Sequence, residues 1–200
     1  MRTGLNKFQR CPGCGNYLIH LAIKTAVDEL QIPKHKLVIV SGIGCNSKMP
    51  QYLEGYGVES LHGREIPFAT GVKMANADLT VISISGDGDS YGIGLGHLLH
   101  ATRRNAPILH ITCDNQNYAL TTGQASSTTP LDAKTKSTPT GNHSQPFHPI
   151  EMVKAAGGKF VEMINDKDTK VLTETIKSAI QFDGFSHINV QQACPSWKKW

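Results

Sequence analysis

The sequence has no long hydrophobic run and no concentration of charge of one sign. Its apolar stretches all fall short of the roughly 18 residues that a membrane-spanning helix needs, and the opening segment MRTGLNKFQR has no apolar signal core. The formal net charge is +4, but the basic residues are scattered rather than arranged as a stripe with interleaved aromatic side chains. We therefore expect a cytoplasmic protein with neither a membrane nor a nucleic-acid partner.

Cysteine is scarce, and its odd count excludes a complete disulfide framework. The five cysteines are Cys11, Cys14, Cys45, Cys113 and Cys194. In a reducing compartment, the CxxC pair at the N-terminal end is more typical of a metal site, a cluster or redox chemistry than of a disulfide. Cys113 lies in an apolar run, so we expect it to act as a small buried hydrophobic residue.

What the sequence does contain is the pattern of one α/β domain. A chain of 200 residues, 39% hydrophobic and 18% charged, suits a single domain over residues 1–200. Apolar, β-branched runs predict strands at Leu37–Val40, Thr80–Ile84, Ile108–Thr112, Phe160–Met163 and His187–Val190. Helical patterns occupy residues 15–30, 67–76, 91–105, 148–157 and 167–181. This alternation predicts a doubly wound, mostly parallel sheet that binds ligands at the C-terminal ends of its strands.

Two segments of this pattern carry more specific expectations. In the last helix we expect one buried face, formed by Val171, Leu172, Thr175, Ile176 and Ile180. The stretch from Thr121 to Pro149 is dense in Thr, Ser, Pro, Gly and Asn, and it is too long for an ordinary connection. We interpret it as an extended functional loop, because it separates no second domain.

The segment SISGDGDSYGIG, residues 83–94, places carboxylates directly after a predicted strand. A helix start preceded by glycines offers free N–H groups to a phosphate, and Asp87 could hold a Mg²⁺ that shares the phosphate charge. Taken alone, the GDG triplet is equally compatible with an exposed turn. However, Asn115 and Asn117 follow the next predicted strand, one βαβ step further along, so the two strand ends should lie side by side.

Longer motifs resemble a known family. GDG followed by an asparagine-rich strand end is similar to the thiamine diphosphate signature. The wider resemblance rests on CPGCGN, SGIGCNSK, LHGREIPFATGVKMAN, SGDGDSYGIGLGHLLHATRRN, DNQNYALTTGQASSTTP and ACPSW, in that order. Together these motifs resemble the β subunit of the 2-oxoacid:ferredoxin oxidoreductases. The resemblance covers residues 10 to 130 and resumes at residues 193 to 197.

The resemblance implies roles for individual residues. Mg²⁺ would be held by Asp87, by the side-chain oxygen of Asn115 and by the backbone carbonyl of Asn117. Thiamine diphosphate would be lined by residues of several strand ends, namely Ile43, Gly44, Cys45, Asn46, His62, Gly86, Gly88, Asp89, Ala119 and Leu120. His62 is the candidate for a catalytic role in this chain. A [4Fe–4S] cluster would be held by Cys11, Cys14, Cys45 and Cys194.

Spacing alone leaves a second interpretation of the cysteines open. A CxxC pair with two distant cysteines fits a structural zinc site equally well. The place of Cys45 beside the expected cofactor pocket favours the cluster, because an electron acceptor is useful there and a structural zinc ion is not. His62 also has an alternative interpretation, as a histidine of a surface loop.

The function implied by the resemblance is oxidative decarboxylation of a 2-oxoacid to an acyl-coenzyme A, with electrons passed through the cluster to ferredoxin. The chain would work in an αβ or α2β2-type complex with an α subunit, or with α and γ subunits. Two alternatives remain. A non-oxidative thiamine diphosphate decarboxylase or carboligase subunit gives the cysteines no role, and a zinc-stabilised binding or assembly protein gives Asp87 and Asn115 none. Pyruvate, 2-oxoglutarate, branched-chain and aryl oxoacids are all compatible substrates.

Two parts of the family pattern are expected to be missing. The family's activating glutamate for the aminopyrimidine of the cofactor lies in the α subunit. Among the sixteen acidic residues here, we expect no glutamate in an apolar setting at a strand end. The family's C-terminal extension is also expected to be absent, since the sequence stops shortly after Cys194.

Overall fold

Short β-branched runs and the amphipathic segments between them form one main sheet with its helices. The structure is a computed structural model and describes residues 10–198 and residue 200; residues 1–9 and Lys199 of the predicted domain lie outside the described residues. The strands are β1 (Leu37–Ser41), β2 (Tyr56–Glu59), β3 (Thr80–Gly86), β4 (Leu109–Asp114), β5 (Asn117–Tyr118), β6 (Gln124–Ala125), β7 (Phe160–Asn165) and β8 (Ser186–Gln191). The helices are α1 (Asn16–Glu29), α2 (Met49–Tyr52), α3 (Glu65–Ala75), α4 (Leu95–Arg103), α5 (Pro149–Ala155) and α6 (Thr169–Gln181).

Six of these strands form a parallel sheet in the order β2-β1-β3-β4-β8-β7. Along the chain, β2 pairs with one side of β1 and β3 with the other, so the direction of winding reverses between β1 and β3. Such a reversal leaves a crevice at the C-terminal ends of the two strands. Gly42 and Asp87 follow directly at these ends. The predicted doubly wound α/β fold is confirmed.

Two apolar cores, one on each face of the sheet, hold the layers together. On one face, α1 and α6 pack on the central strands through Ile19, Ile23, Ile39, Ile82, Ile111, Leu172, Ile176 and Val190. On the other face lie α3, α4 and α5, with Val40, Ile66, Val81, Leu98 and Val153. Removing such side chains from water contributes about 25 cal/mol per Å² of apolar surface, which is the main stabilisation of the fold.

On the second face of the sheet, two neighbouring rows of side chains across β3, β4 and β8 are polar. Side chains alternate between the two faces along a strand, and the fully buried polar ladder on this face consists of Ser83, Ser85, His110, Thr112, His187 and Asn189. Ser90 forms hydrogen bonds with Ser85 (2.7 Å) and His110 Nε2 (2.9 Å). The hydroxyl of Tyr91 donates to Asn189 Oδ1 (2.6 Å). The polar ladder therefore holds the turn that follows Asp87.

One strand of the main sheet was not predicted, and one predicted helix needs correction. Strand β2 was not predicted, because its four residues lie partly or fully exposed at the sheet edge and contain no apolar run. The predicted helix 91–105 is interrupted: residues Gly88–Ile93 form a π-helical turn, and α4 begins at Leu95. Gly92 breaks the helix with a ψ of −110°. Gly94 N then donates to Asp89 O at 2.8 Å, which closes the wider turn.

The buried face of α6 also differs from the prediction. Leu172 and Ile176 are fully buried as expected, but Val171 is 57% exposed. Neighbouring helical residues point about 100° apart, so Val171 faces away when Leu172 and Ile176 face the sheet. Thr173 and Ala179 complete the buried face instead. Among the described residues, no helix is both long and apolar enough to cross a membrane.

Candidate functional site

One carboxylate, that of Asp89, connects the loops at the C-terminal ends of β1, β2 and β3. Its Oδ1 accepts hydrogen bonds from the backbone N–H groups of Ile43 (3.0 Å) and Gly63 (2.8 Å), and from His62 Nδ1 (2.7 Å). Its Oδ2 accepts from the N–H of Gly86 (3.2 Å). Asp89 is only 1% exposed. The structure therefore brings the predicted residues Ile43, His62 and Gly86 together around the buried carboxyl group of Asp89.

The contact with Asp89 orients the imidazole of His62. Because the carboxylate only accepts, Nδ1 carries the proton in the neutral ring, and Nε2 remains an acceptor. The His62 side chain is 38% exposed, and its ring meets the ring of Tyr118 with centroids 6.1 Å apart. One ring nitrogen is thus anchored by the protein, while the other can face a ligand.

The glycines of the site allow close packing of the chain. A Cβ added to Gly88 would lie 2.1 Å from the ring of Tyr118, and one added to Gly42 would lie 2.6 Å from Asp89 Oδ1. Gly44 has a φ of +125°, which side chains rarely adopt. Gly42 and Gly88 therefore require glycine because the chain approaches them too closely for a side chain, and Gly44 requires it because of its backbone conformation.

A second carboxylate, Asp87, lies buried between β3 and β4. Burial and the neighbouring charge of Asp114 raise the pKa of Asp87 to about 8, and burial also raises the pKa of Asp114. The Thr128 hydroxyl lies 2.7 Å from Asp114 Oδ1 and 3.2 Å from Asp87 Oδ2. It has only one hydrogen for two carboxylates. A cation at Asp87 would relieve this repulsion.

The asparagine turn after β4 adds polar atoms at the same place. Asn117 donates its backbone N–H to Asn115 Oδ1 (3.1 Å) and its side-chain amide to Asn115 O (2.9 Å). Asn117 Oδ1 is buried without a hydrogen-bond partner. We call Asp87, Asn115 and Asn117 the metal end of the site. Which of their oxygens would bind a cation stays a prediction.

Unpartnered buried atoms test whether the site suits Mg²⁺ and a diphosphate. The orphaned oxygen of Asn117 is an acceptor that a cation would satisfy. Asn46 is 3% exposed, and its Nδ2 is a donor without a partner that a phosphate oxygen would satisfy. The chemistry of both atoms fits the predicted group.

The loop 121–149 reaches the metal end, and its role as a functional loop stays a prediction. Besides the contacts of Thr128, Thr129 donates its hydroxyl to Gln116 O (2.6 Å). The segment leading into the loop contains Ala119, which is buried, and Leu120, which is 59% exposed. The loop therefore packs its threonines on the strand ends, while Leu120 presents an apolar side chain to the surroundings.

The four cysteines assigned to the cluster lie in one neighbourhood. Burial, followed by the charges of Cys14, Cys194 and Cys11, raises the pKa of the Cys45 thiol to about 11. We call these four residues the thiol set; all are free thiols. In the described part of the chain, no three His, Cys, Asp or Glu side chains are gathered closely enough to hold a single metal ion. Cys113 is buried in β4, as predicted.

Positive charge and N–H donors surround the thiol set. Burial raises the pKa of the Cys14 thiol, while the backbone N–H of Asn16 and the charge of Arg10 oppose that rise. Gln192 Nε2 donates to Cys14 Sγ at 3.5 Å. Such donors stabilise negative charge on sulfur, so these residues fit a group that is bound by thiolates.

Glu65 is a residue that sequence reasoning missed. It is fully buried, and neither carboxyl oxygen has a hydrogen-bond partner. Burial and the charge of Asp89 raise the pKa of Glu65 to about 7. Glu65 is the first residue of α3 rather than a strand-end residue, and it lies beside the carboxyl group of Asp89. The expectation that no glutamate lies in an apolar setting at a strand end therefore stays a prediction. No sequence signal marks this residue, since a glutamate in the first turn of a helix is normally a solvated partner of the helix dipole.

Comparison with known proteins identifies the class. The family model described as "Thiamine pyrophosphate enzyme, C-terminal TPP binding domain" matches residues 41–190. This range runs from the last residue of β1 into β8, and it includes Asp87, Asn115 and Asn117. The chain therefore belongs to the thiamine pyrophosphate enzymes that contain this domain.

Individual relatives narrow the class. The 2-oxoacid:ferredoxin oxidoreductase subunit beta of Saccharolobus solfataricus is 46% identical over 189 residues, 94% of this chain and 62% of that protein. Subunit KorB of the Mycobacterium tuberculosis 2-oxoglutarate oxidoreductase is 42% identical, over 92% of this chain and 50% of that one. Among solved structures, the chain is similar to a 2-oxoglutarate:ferredoxin oxidoreductase from Magnetococcus marinus with 2-oxoglutarate, coenzyme A and succinyl-CoA bound. The match has a TM-score of 0.96 and 35% identity, and it covers 98% of this chain and 67% of that chain.

Within the class, the chain belongs to the β-subunit family of the 2-oxoacid:ferredoxin oxidoreductases. It spans between half and two thirds of the length of the two curated relatives above.

Proposed function

We propose that this chain supplies the diphosphate-binding half of a thiamine diphosphate site, and a [4Fe–4S] cluster, to a 2-oxoacid:ferredoxin oxidoreductase. The complex would oxidise a 2-oxoacid with loss of carbon dioxide, form an acyl-coenzyme A and reduce ferredoxin. Its other half would be an α subunit. Membership of the β-subunit family supports this function, and the site geometry supports the division of labour between the subunits.

The observation that carries the proposal is the convergence of Asp87 with the asparagine turn. Parallel strands β3 and β4 end side by side, with Gly86 paired to Cys113. The buried carboxyl group of Asp87 therefore follows one strand end, and the turn that contains the unpartnered Asn117 oxygen follows the neighbouring one. Hard oxygen donors of this kind suit Mg²⁺, which would neutralise a diphosphate there. The unpartnered Asn46 Nδ2 is a donor for the same anion.

Residues of this chain would then bind and orient the cofactor. When bound, thiamine diphosphate supplies the carbanion chemistry, because its thiazolium ring acts as an electron sink. Asp87, Asn115 and Asn117 would hold the metal, while Asp89 keeps the loops of Ile43 and His62 in place. The anchored imidazole of His62 can hold or accept a proton at Nε2. The thiol set would bind the cluster, with Arg10 offsetting part of its negative charge.

A binding experiment tests the metal end. We expect Asp87→Ala to abolish Mg²⁺-dependent binding of thiamine diphosphate, measured by calorimetry, while iron content stays unchanged. The matched control is Asp183→Ala, at an exposed aspartate outside the site. Because the substitution removes an acid buried beside Asp114, the metal-free variant should melt no earlier than the wild type, so lost binding would not reflect unfolding. Unchanged Mg²⁺-dependent affinity would rule out the assignment of Asp87.

A further inference from the structure

A series of three hydrogen bonds connects the asparagine turn after β4 with the thiol of Cys14. The N–H of Asn117 donates to Asn115 Oδ1 (3.1 Å), and Asn115 Nδ2 donates to Gln192 Oε1 (3.2 Å). Gln192 Nε2 then donates to Cys14 Sγ (3.5 Å). Gln192 is 2% exposed, and both asparagines are 6% exposed or less. One buried amide therefore touches both the metal end and the thiol set.

The direction of the series follows from its first donor. A backbone N–H can only donate, so the Asn115 atom that faces Asn117 must be its oxygen. The NH₂ group of Asn115 then donates to Gln192, so the Gln192 atom that accepts this hydrogen bond must be its oxygen. The NH₂ group of Gln192 is left to face the sulfur of Cys14. Flipping the Gln192 amide would spoil both of its contacts, so its orientation is determined.

The backbone around Gln192 is held by three different elements. Gln192 N donates to Asp114 O at the end of β4 (2.9 Å), and Ala193 N donates to Asp166 Oδ2 after β7 (2.6 Å). Gly15 N, at the start of α1, donates to Ala193 O (3.0 Å). A Cβ on Gly15 would lie 1.7 Å from Asp166 Oδ2, so the contact requires glycine. The position of the Gln192 amide is thus imposed by the fold.

We propose that Gln192 is a positioning residue that couples the thiol set to the metal end. Its oxygen orients the amide of Asn115, and its NH₂ group stabilises negative charge on Cys14. Binding of iron by the thiol set increases the negative charge on Cys14 Sγ, and this strengthens the hydrogen bond from Gln192 Nε2. The stronger bond polarises the Gln192 amide, so the hydrogen bond from Asn115 to Gln192 Oε1 becomes stronger too. Iron loading then tightens the binding of Mg²⁺ and thiamine diphosphate. This coupling rests on the proposed function of both sites.

Three variants of the full chain test the coupling. Gln192→Met removes both hydrogen bonds at similar volume. Gln192→Glu keeps an acceptor for Asn115 but loses the donor to Cys14, and Gln191→Met changes the exposed neighbour as the matched control. Affinity for thiamine diphosphate is measured by calorimetry in excess magnesium chloride, on iron-free protein and on protein loaded anaerobically with iron and sulfide. Iron content and thermal midpoint are recorded for each variant.

We expect iron-free Gln192→Met to bind the cofactor about fivefold more weakly than the wild type, the effect of one lost hydrogen bond, and to gain nothing from iron. Gln192→Glu should bind like the wild type without iron and also gain nothing from iron. Unchanged affinity of Gln192→Met in both states, or an equal loss in Gln191→Met, overturns the proposal.

Two further outcomes separate this proposal from the proposed function. If the wild type binds cofactor but takes up no iron, the cluster assignment fails, and the iron-free comparison still decides whether Gln192 orients Asn115. If Gln192→Met does not fold, the test rests on Gln192→Glu. An iron-dependent gain in its affinity for thiamine diphosphate as large as that of the wild type overturns the coupling.

Discussion

The buried acidic residues of the site reduce the stability of the folded protein. Glu65 and Asp87 have pKa values raised to about 7 and about 8, and both carboxyl groups are almost inaccessible to solvent. Ionising them without a cation is unfavourable, because burial removes the water that would solvate the charge. Acids kept in such positions are typical of functional sites.

Glu65 should make stability depend on pH in a predictable direction. Its pKa rises from 4.5 to about 7 in the folded chain, so between these values the native state holds a proton that the unfolded state has released. Stability therefore falls as the pH rises through this window. We expect Glu65→Gln to stabilise the protein by about 2–3 kcal/mol more at pH 8 than at pH 5, measured by urea unfolding.

The control for Glu65→Gln is Glu162→Gln, at an exposed position of β7. The control should show no such difference between the two pH values. A Glu65→Gln effect of the same size at pH 5 and pH 8 would mean that Glu65 is ionised in the fold.

The cysteines separate into two kinds, which iron content should distinguish. Cys194 belongs to the thiol set, whereas Cys113 lies inside β4, where burial raises the pKa of its thiol to about 12. We expect Cys194→Ser to lose or degrade the cluster and Cys113→Ser to retain it, measured as iron per folded chain after anaerobic purification. Cys113→Ser should cost about 1–3 kcal/mol of stability, because its hydroxyl is buried. Equal iron content in the two variants would contradict this assignment.

At the scale of elements, the π-helical turn Gly88–Ile93 is stabilised by the polar ladder on which it packs. Ser90 and Tyr91 are held by the polar ladder, in which the rings of His110 and His187 stack with centroids 5.5 Å apart. Burial lowers the pKa of His187 to about 3 and that of His110 well below its usual value, so both rings stay neutral. Neutral imidazoles can donate and accept hydrogen bonds without adding charge near Asp87.

The turn also depends on the absence of a side chain at Gly88. Its backbone is helical, so alanine is compatible with its φ and ψ angles, but the added Cβ would collide with the ring of Tyr118. We expect Gly88→Ala to cost about 1–3 kcal/mol in urea unfolding. Most of this cost should disappear in a Tyr118→Ala background, since the two substitutions share one contact.

Gly96→Ala is the matched control for the turn. Gly96 lies in α4 with nothing within 4 Å of an added Cβ, so alanine should stabilise the helix by up to about 1 kcal/mol. If Gly88→Ala proved equally harmless, the collision with Tyr118 would not determine the shape of the turn.

At the scale of the whole molecule, the proposed function gives the chain one half of a cofactor site. The strand ends offer groups for a metal and a diphosphate, but the activating acid for the aminopyrimidine must touch the cofactor. Glu65, the buried glutamate near these strand ends, is fully enclosed and makes no accessible contact. The second half of the site is therefore expected from an α subunit.

We predict that the chain alone has no 2-oxoacid oxidoreductase activity, even with cluster, Mg²⁺ and cofactor supplied. The assay follows reduction of methyl viologen with several 2-oxoacids and coenzyme A, with and without the partner subunit. Activity should appear only with the partner, because proton exchange on the aminopyrimidine needs a positioned acid. Robust turnover by the isolated chain would show that the activating acid lies in this chain.

The sequence by itself determined the fold class, and it predicted which candidate site residues follow the strand ends. Strands such as Thr80–Gly86 could be predicted because a run of β-branched residues indicates a buried strand, whichever strands lie beside it. Asp87 and the asparagine turn could be placed side by side because one βαβ step always returns to the same edge of a parallel sheet. The apolar run around Cys113 also set this residue apart from the other four cysteines.

Only the tertiary structure decided the contacts among these parts. Glu65 and Gln192 carry no local signal, because their burial depends on how α3 and the end of β8 pack against distant strands. The polar ladder depends on the register of β3, β4 and β8, and a shift by one residue would turn its side chains to the other face. Local patterns specify which elements form, whereas burial and pairing between distant residues are properties of the packed chain.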